Sequence, residues 1–187
     1  MYFQPRSMCH KYLITLLLLL TVSQGYGREQ GKHVYADVGI AAGFAHTGYH
    51  TSLLFPVHYG KHTVYAGPKI LLTESYLPFR NIWGVHAGYN YSVLQQGRWQ
   101  ADAGIDYQCS FYRPHSIAGN NRYNRVQEIY FLLGLAYRIR PESRIGIKLQ
   151  LGSGLYADTW HDLVEGGKRT ALGRASTGRF TISYKLF

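Results

Sequence analysis

Apolar and polar residues alternate with a period of two along most of the chain. That period sorts side chains onto the two faces of a strand, and a helical period of 3.6 does not reproduce it. The clearest segment interleaves Trp99, Ala101, Ala103, Ile105, Tyr107, Cys109 and Phe111 with Gln100, Asp102, Gly104, Asp106, Gln108 and Ser110. The same sorting sets Val34, Ala36, Val38, Ile40, Ala42 and Phe44 against Tyr35, Asp37, Gly39, Ala41 and Gly43. It recurs around Trp83–Val93, Ile129–Ile139 and Ile145–Leu155, and in a last ribbon where Phe180, Ile182, Tyr184 and Leu186 oppose Arg179, Thr181, Ser183 and Lys185. Two weaker ribbons, around Leu53–His58 and Val64–Leu72, carry Pro56 and Pro68, each of which removes a ladder donor. The pattern predicts eight strands, at 33–46, 49–58, 62–73, 82–95, 98–112, 126–139, 143–157 and 176–187.

The connections alternate in length. Tyr59-Gly60-Lys61, Gln95-Gln96-Gly97 and Arg140-Pro141-Glu142-Ser143 read as tight turns, whereas 74–81, 113–125 and 158–175 read as longer polar loops. Only the first outer connection, near Thr47-Gly48, breaks the rule by being short. Alternating short and long connections is the pattern of an all-β, up-and-down, antiparallel transmembrane barrel with short inner turns and long outer loops. Strand eight must then pair with strand one to close it.

The beginning of the chain fits that reading. Arg6 and Lys11 precede the apolar run Leu13–Val22, which is too short to span a bilayer as a helix. It reads as a signal peptide over 1–25, cleaved before Tyr26, followed by a short lead at 26–32 and the barrel at 33–187. Loss of the leader removes Cys9 and leaves Cys109 alone, so an internal disulfide is excluded. No Cys/His cluster suggests a metal, and nothing implies a cofactor.

A soluble barrel would turn its apolar face inward; a membrane barrel turns it outward. Small residues crowd the polar face, as the narrow interior of eight strands requires. Trp83, Trp99, Phe111, Tyr137, Tyr184 and Phe187 sit near strand ends, where interfacial aromatic belts form. The expected lumen therefore holds Asp37, Asp102, Asp106 and Glu128 with Lys69, Arg138, Lys148, Arg179 and Lys185, plus His58 and His86. Buried charges must be paired or hydrated, so these predict a network filling the lumen, with Arg179 and Lys185 as partners for acids such as Asp37.

The chain has 20 Lys and Arg against 10 Asp and Glu; without Arg6 and Lys11 the count is 18 against 10, a net +8. In an exported chain this excess points to acidic lipid head groups and not to nucleic acid. The outer loops are expected to carry Arg113, Arg122, Arg125, Lys168, Arg169 and Arg174 beside His115, and guanidinium groups there suit lipid phosphate or sugar carboxylate.

Together the eight ribbons, the alternating connections and the ending Ile182-Ser183-Tyr184-Lys185-Leu186-Phe187 resemble the small outer-membrane β-barrel proteins related to OmpA and OmpX. Tyr65-Ala66-Gly67-Pro68-Lys69 and Asp106-Tyr107-Gln108 look most like the barrels common in Bacteroidota. Phe187 departs from the pattern, being one residue out of phase with Tyr184 and Ile182. The resemblance implies a non-enzymatic, monomeric protein of the Gram-negative outer membrane, in contact with lipopolysaccharide and with the outer-membrane assembly machinery. Two other readings are a small gated pore and an enzyme acting on lipid A, since small barrels include deacylases with a His/Ser/Glu arrangement. His115, Ser116 and Glu128 are the nearest candidates for the latter, but adjacent strand residues point to opposite faces.

Overall fold

In the computed structural model, residues 34–72, 79–114, 124–139, 143–161 and 167–186 are described. The signal-peptide expectation and the phase of Phe187 fall outside them. Eight antiparallel strands close into a barrel in sequence order. They are β1 (Val34–Ala45), β2 (Gly48–Tyr59), β3 (His62–Leu71), β4 (Phe79–Gln96), β5 (Trp99–Pro114), β6 (Asn124–Arg138), β7 (Ile145–His161) and β8 (Lys168–Lys185). Closure comes from β1 against β8, with Ile40 opposite Ile182 and Phe44 opposite Gly178.

The alternation decides which way each residue points. Ile40 (63% exposed), Phe131 (71%), Leu133 (72%) and Leu172 (78%) lie on the outside, while Lys69, His86, Asp106 and Glu128 are fully buried inside. The barrel is thus inverted relative to a soluble one. Two ring pairs stand directly opposite each other across strands, Trp83 with Phe111 at 4.8 Å and Trp99 with Tyr137 at 4.7 Å. The first pair lies toward the loop end and the second at the turn end. Gly60 and Gly97 take positive φ (59° and 57°) in the turns that follow β2 and β4, a conformation that side chains with a Cβ adopt at a cost.

Several strands are longer than the alternation predicts. β4 begins at Phe79, β5 reaches Pro114, β7 reaches His161 and β8 starts at Lys168. Most of the expected loop 158–175 is therefore strand, and Arg113, Arg125, Lys168, Arg169 and Arg174 sit on strands and not in loops. The physical reason is that in these extensions polar residues enter the outward face as well, so the contrast between the two faces weakens and the period fades.

Both weak ribbons form strands despite their prolines. Pairing of β2 with β3 runs from His50–Leu71 to Ser52–Lys69, then resumes at Phe55–Ala66. The gap falls at Gly67-Pro68, where Pro68 has no N–H to give. A second irregularity, between Ser92 and Leu94, leaves both Val93 and Leu94 exposed on the outside.

Candidate functional site

Each inward strand position contributes one side chain to the lumen, and the polar ones connect into a network. At its centre lies Asp106 on β5, 1% exposed. Its Oδ1 accepts from Arg179 Nη1 on β8 at 3.0 Å and from the Tyr65 hydroxyl on β3, and its Oδ2 accepts from Gln108 Nε2 at 2.8 Å. His86 Nε2 on β4 lies 2.8 Å from the same carboxylate, while the Ser52 hydroxyl lies 3.0 Å from His86 Nδ1.

The Arg179 guanidinium is fixed from several sides. It donates to Tyr65 Oη at 2.9 Å and to Gln150 Oε1 at 2.5 Å, abuts His86 Nε2, and stacks over the Tyr65 ring at 4.9 Å. Gln150 passes the contact on through Nε2 to Asn90 Oδ1 at 3.0 Å. A planar fork with several donors suits a site where a carboxylate, a hydroxyl and an amide oxygen converge; an ammonium would serve fewer of them. Both charges are buried and mutually compensated, which the low-dielectric interior demands.

Toward the loop end the network continues through Lys69. Its ammonium donates to Gln108 Oε1 at 2.7 Å, to Thr47 Oγ1 at 3.1 Å and to Glu128 Oε2 at 3.3 Å. Glu128 also accepts from Tyr130 Oη at 2.9 Å and from the Thr47 backbone N–H at 3.3 Å. The short β1–β2 connection is thereby tied by Thr47 to the far wall. Its His46 ring stacks on Tyr156 with centroids 3.5 Å apart.

Toward the turn end two further groups form. Lys148 Nζ meets Asp102 Oδ2 at 2.5 Å, and Gln100 donates to Asp102 Oδ1 at 2.8 Å. His58 repeats the arrangement of His86, held between Asp37 Oδ2 at 3.1 Å and Thr63 Oγ1 at 2.9 Å, and it stacks on Tyr35 at 4.2 Å. Arg138 donates to the Tyr35 hydroxyl at 3.3 Å. Between these groups lies a cavity of about 90 Å³, lined in part by Asp37, His58, Asp102, Arg138 and Lys148.

Among the lumen acids Arg179 meets Asp106. Lys185, although opposite Asp37 in the β1–β8 register, lies over the Tyr35 ring at 4.5 Å, and the Asp37 carboxylate is taken by His58. Cross-strand position fixes the face, but a long cation chooses among all groups across the lumen.

Sequence reasoning overlooked His50, Tyr65, Gln108, Gln150 and Asn90. Inward parity on their own strands was the available signal, and attention to formal charge passed over it. Of the lipid-hydrolase candidates, His115 and Ser116 lie outside the described residues, as does Arg122. Glu128 is buried and engaged by Lys69, Tyr130 and Thr47. Among the described residues no cluster of His, Cys, Asp and Glu has the makings of a metal site.

The chain so described is an eight-stranded antiparallel barrel with a polar interior and an apolar exterior. No protein-family model and no curated protein sequence matches it. Among solved structures it is similar to Neisserial surface protein A, at 12% identity and a TM-score of 0.45, over 84% of this chain and 97% of that one. It is similar also to a major outer membrane protein from Thermus thermophilus, at 13% identity and a TM-score of 0.41, over 82% of this chain and 99% of that one. A third likeness is to the KdgM porin in complex with disordered oligogalacturonate, at 10% identity and a TM-score of 0.31, over 81% and 99% of the two chains.

Proposed function

We propose that the chain is an integral outer-membrane β-barrel protein of a Gram-negative bacterium, exported by a cleaved signal peptide, monomeric and without catalytic activity. It serves the envelope structurally or binds a ligand at its surface, and the network around Arg179 and Asp106 plugs its lumen. The observation that carries this reading is the inverted barrel. Large apolar side chains at 71–72% exposure, such as Phe131 and Leu133, would cover a water-soluble surface with a continuous hydrophobic band, which soluble monomers avoid. Lipid is the solvent that such a surface fits, and a closed barrel pairs its strands with one another and leaves no open sheet edge within it. Outer-membrane lipid and the assembly machinery are the partners this implies; closure leaves no free edge for pairing.

Leu133→Arg tests the membrane reading. At the bilayer midplane a lipid-facing arginine costs about 2–4 kcal/mol. The folded fraction in phospholipid vesicles, read from heat-modifiable gel migration across a urea series, should fall accordingly. An unchanged urea midpoint, or a wild-type chain recovered only from the soluble periplasmic fraction, would sink the proposal.

The pore reading has one observation in its favour, the turn-end cavity of about 90 Å³. Neither Arg179 nor Asp106 lines that cavity, and both are buried in the lumen, so planar bilayers carrying the protein should stay electrically silent across voltage and pH. Discrete single-channel steps would replace the plug by a conducting path.

A further inference from the structure

The strand register gathers three cations that the sequence scatters. β6, β7 and β8 pair without a break through Arg125–Thr159–Thr170, and the last pair of β7 and β8 is His161–Lys168. On β6 the outward phase is that of Ile129, Phe131 and Leu133, which Arg125 shares. On β8 it is that of Leu172, Phe180 and Ile182, which Lys168, Thr170 and Arg174 share. All three cations are exposed, so they stand on the outer wall at the loop end and not in the lumen.

Arg174 is the informative one. It occupies the row Ile129–Leu155–Arg174, with Leu155 (64% exposed) beside it and Leu172 (78%) beyond it toward the loop end. A cation set into the upper edge of an apolar band sits at head-group depth, where an anion is the group that compensates it. The wall between the cations offers hydrogen bonds as well, from Thr159 and Thr170, whose hydroxyls lie 3.1 Å apart, and from His161. Among the described residues no carboxylate shares the outward face of β6, β7 and β8 at this end.

Strand spacing gives the size of the anion. Arg125 and Lys168 are two strands and about two residues apart, roughly 12 Å, and Lys168 to Arg174 along β8 is about 20 Å. One phosphate of a simple phospholipid covers only a part of that span. We propose that this patch holds the phosphorylated sugar head group of an outer-leaflet glycolipid, with phosphates on Arg125, Lys168 and Arg174, sugar hydroxyls on Thr159 and Thr170, and acyl chains along Leu155, Leu172 and Ile129. This rests on the membrane reading above and names the lipid class for one face of it.

The test uses the full folded barrel in detergent, probed by native mass spectrometry with bis-phosphorylated lipid A, the same lipid stripped of phosphate, and phosphatidylglycerol. Each cation near an anionic head group contributes about a fivefold gain, so Arg125→Ala/Lys168→Ala/Arg174→Ala should weaken retention of the bis-phosphorylated lipid on the order of a hundredfold. Arg125→Lys/Arg174→Lys keeps the charge and should retain most of it, and serves if the alanine variant fails to fold. Equal retention of the stripped lipid or of phosphatidylglycerol, or a triple variant that binds like the parent, overturns the proposal. Insertion into zwitterionic vesicles is read separately: a chain that inserts but does not discriminate sinks the patch alone, and one that never inserts sinks the membrane reading.

Discussion

Arg179→Met is expected to destabilise the folded barrel by about 3–5 kcal/mol, the cost of leaving a buried carboxylate without its counter-charge. The Asp106 carboxylate is 1% exposed, and the remaining groups in contact with it, Tyr65, His86 and Gln108, carry no fixed positive charge. Neutral donors supply hydrogen bonds, each with a net worth of about 1 kcal/mol, but cannot cancel the desolvation of a charge. Removing both ions is a different experiment. In Arg179→Met/Asp106→Leu the lumen becomes locally apolar at similar volume, and such replacements are often neutral. The double variant should therefore recover most of the loss. Equilibrium urea unfolding in lipid, followed by heat-modifiable migration or tryptophan fluorescence, measures both. A single variant within about 1 kcal/mol of the parent would mean that water reaches Asp106, and the plugged lumen would have to be abandoned.

Gly67→Ala is the second large effect. A Cβ built on Gly67 would sit 1.7 Å from the Leu53 carbonyl oxygen and 2.8 Å from its carbon. Neither atom can retreat as a side-chain tip would, because both belong to the neighbouring strand. Overpacking a formed core typically costs about 1–3 kcal/mol, and an overlap with backbone belongs at or beyond the upper end of that range. Here it falls at the gap where Pro68 has already cost a ladder donor. The expected result is a chain that remains largely in the unfolded gel band after transfer into lipid. Gly154→Ala, with its Cβ 1.8 Å from the Ile129 oxygen, should behave alike. Gly97→Ala is the control: nothing lies within 4 Å of its Cβ, and its positive φ alone should cost about 1–2 kcal/mol. A Gly67 variant that folds as readily as the Gly97 variant would show that β2 and β3 can separate at this point at little cost.

The alternation made the strands legible where one face is apolar, and it faded where neither is. Trp99–Phe111 could be assigned residue by residue because every odd position is apolar or aromatic and every even one is polar or glycine. Thr159-Trp160-His161 and Lys168-Arg169-Thr170 carry no such contrast, so the upper ends of β7 and β8 looked like loop. At Tyr49-His50-Thr51 the contrast is weak, and only the phase carried back from Ser52 turns His50 inward. The lumen partners were less legible still. Whether Arg179 reaches Asp37 or Asp106 depends on how β8 is staggered across the barrel from β5, a property of closure that no single ribbon encodes.

Closure by β1 against β8 also bears on how the fold is reached. The hairpins from β2 to β8 join neighbours in the chain, whereas Asp37 opposite Lys185 and Ile40 opposite Ile182 join its two extremes. The entropic cost of that contact falls late and is recovered only once every intervening strand is in order, which is the condition that makes high-contact-order topologies slow to fold. Until the last pairing forms, β1 and β8 each expose an unsatisfied edge beside a strongly apolar face, which is the arrangement that invites pairing with another chain.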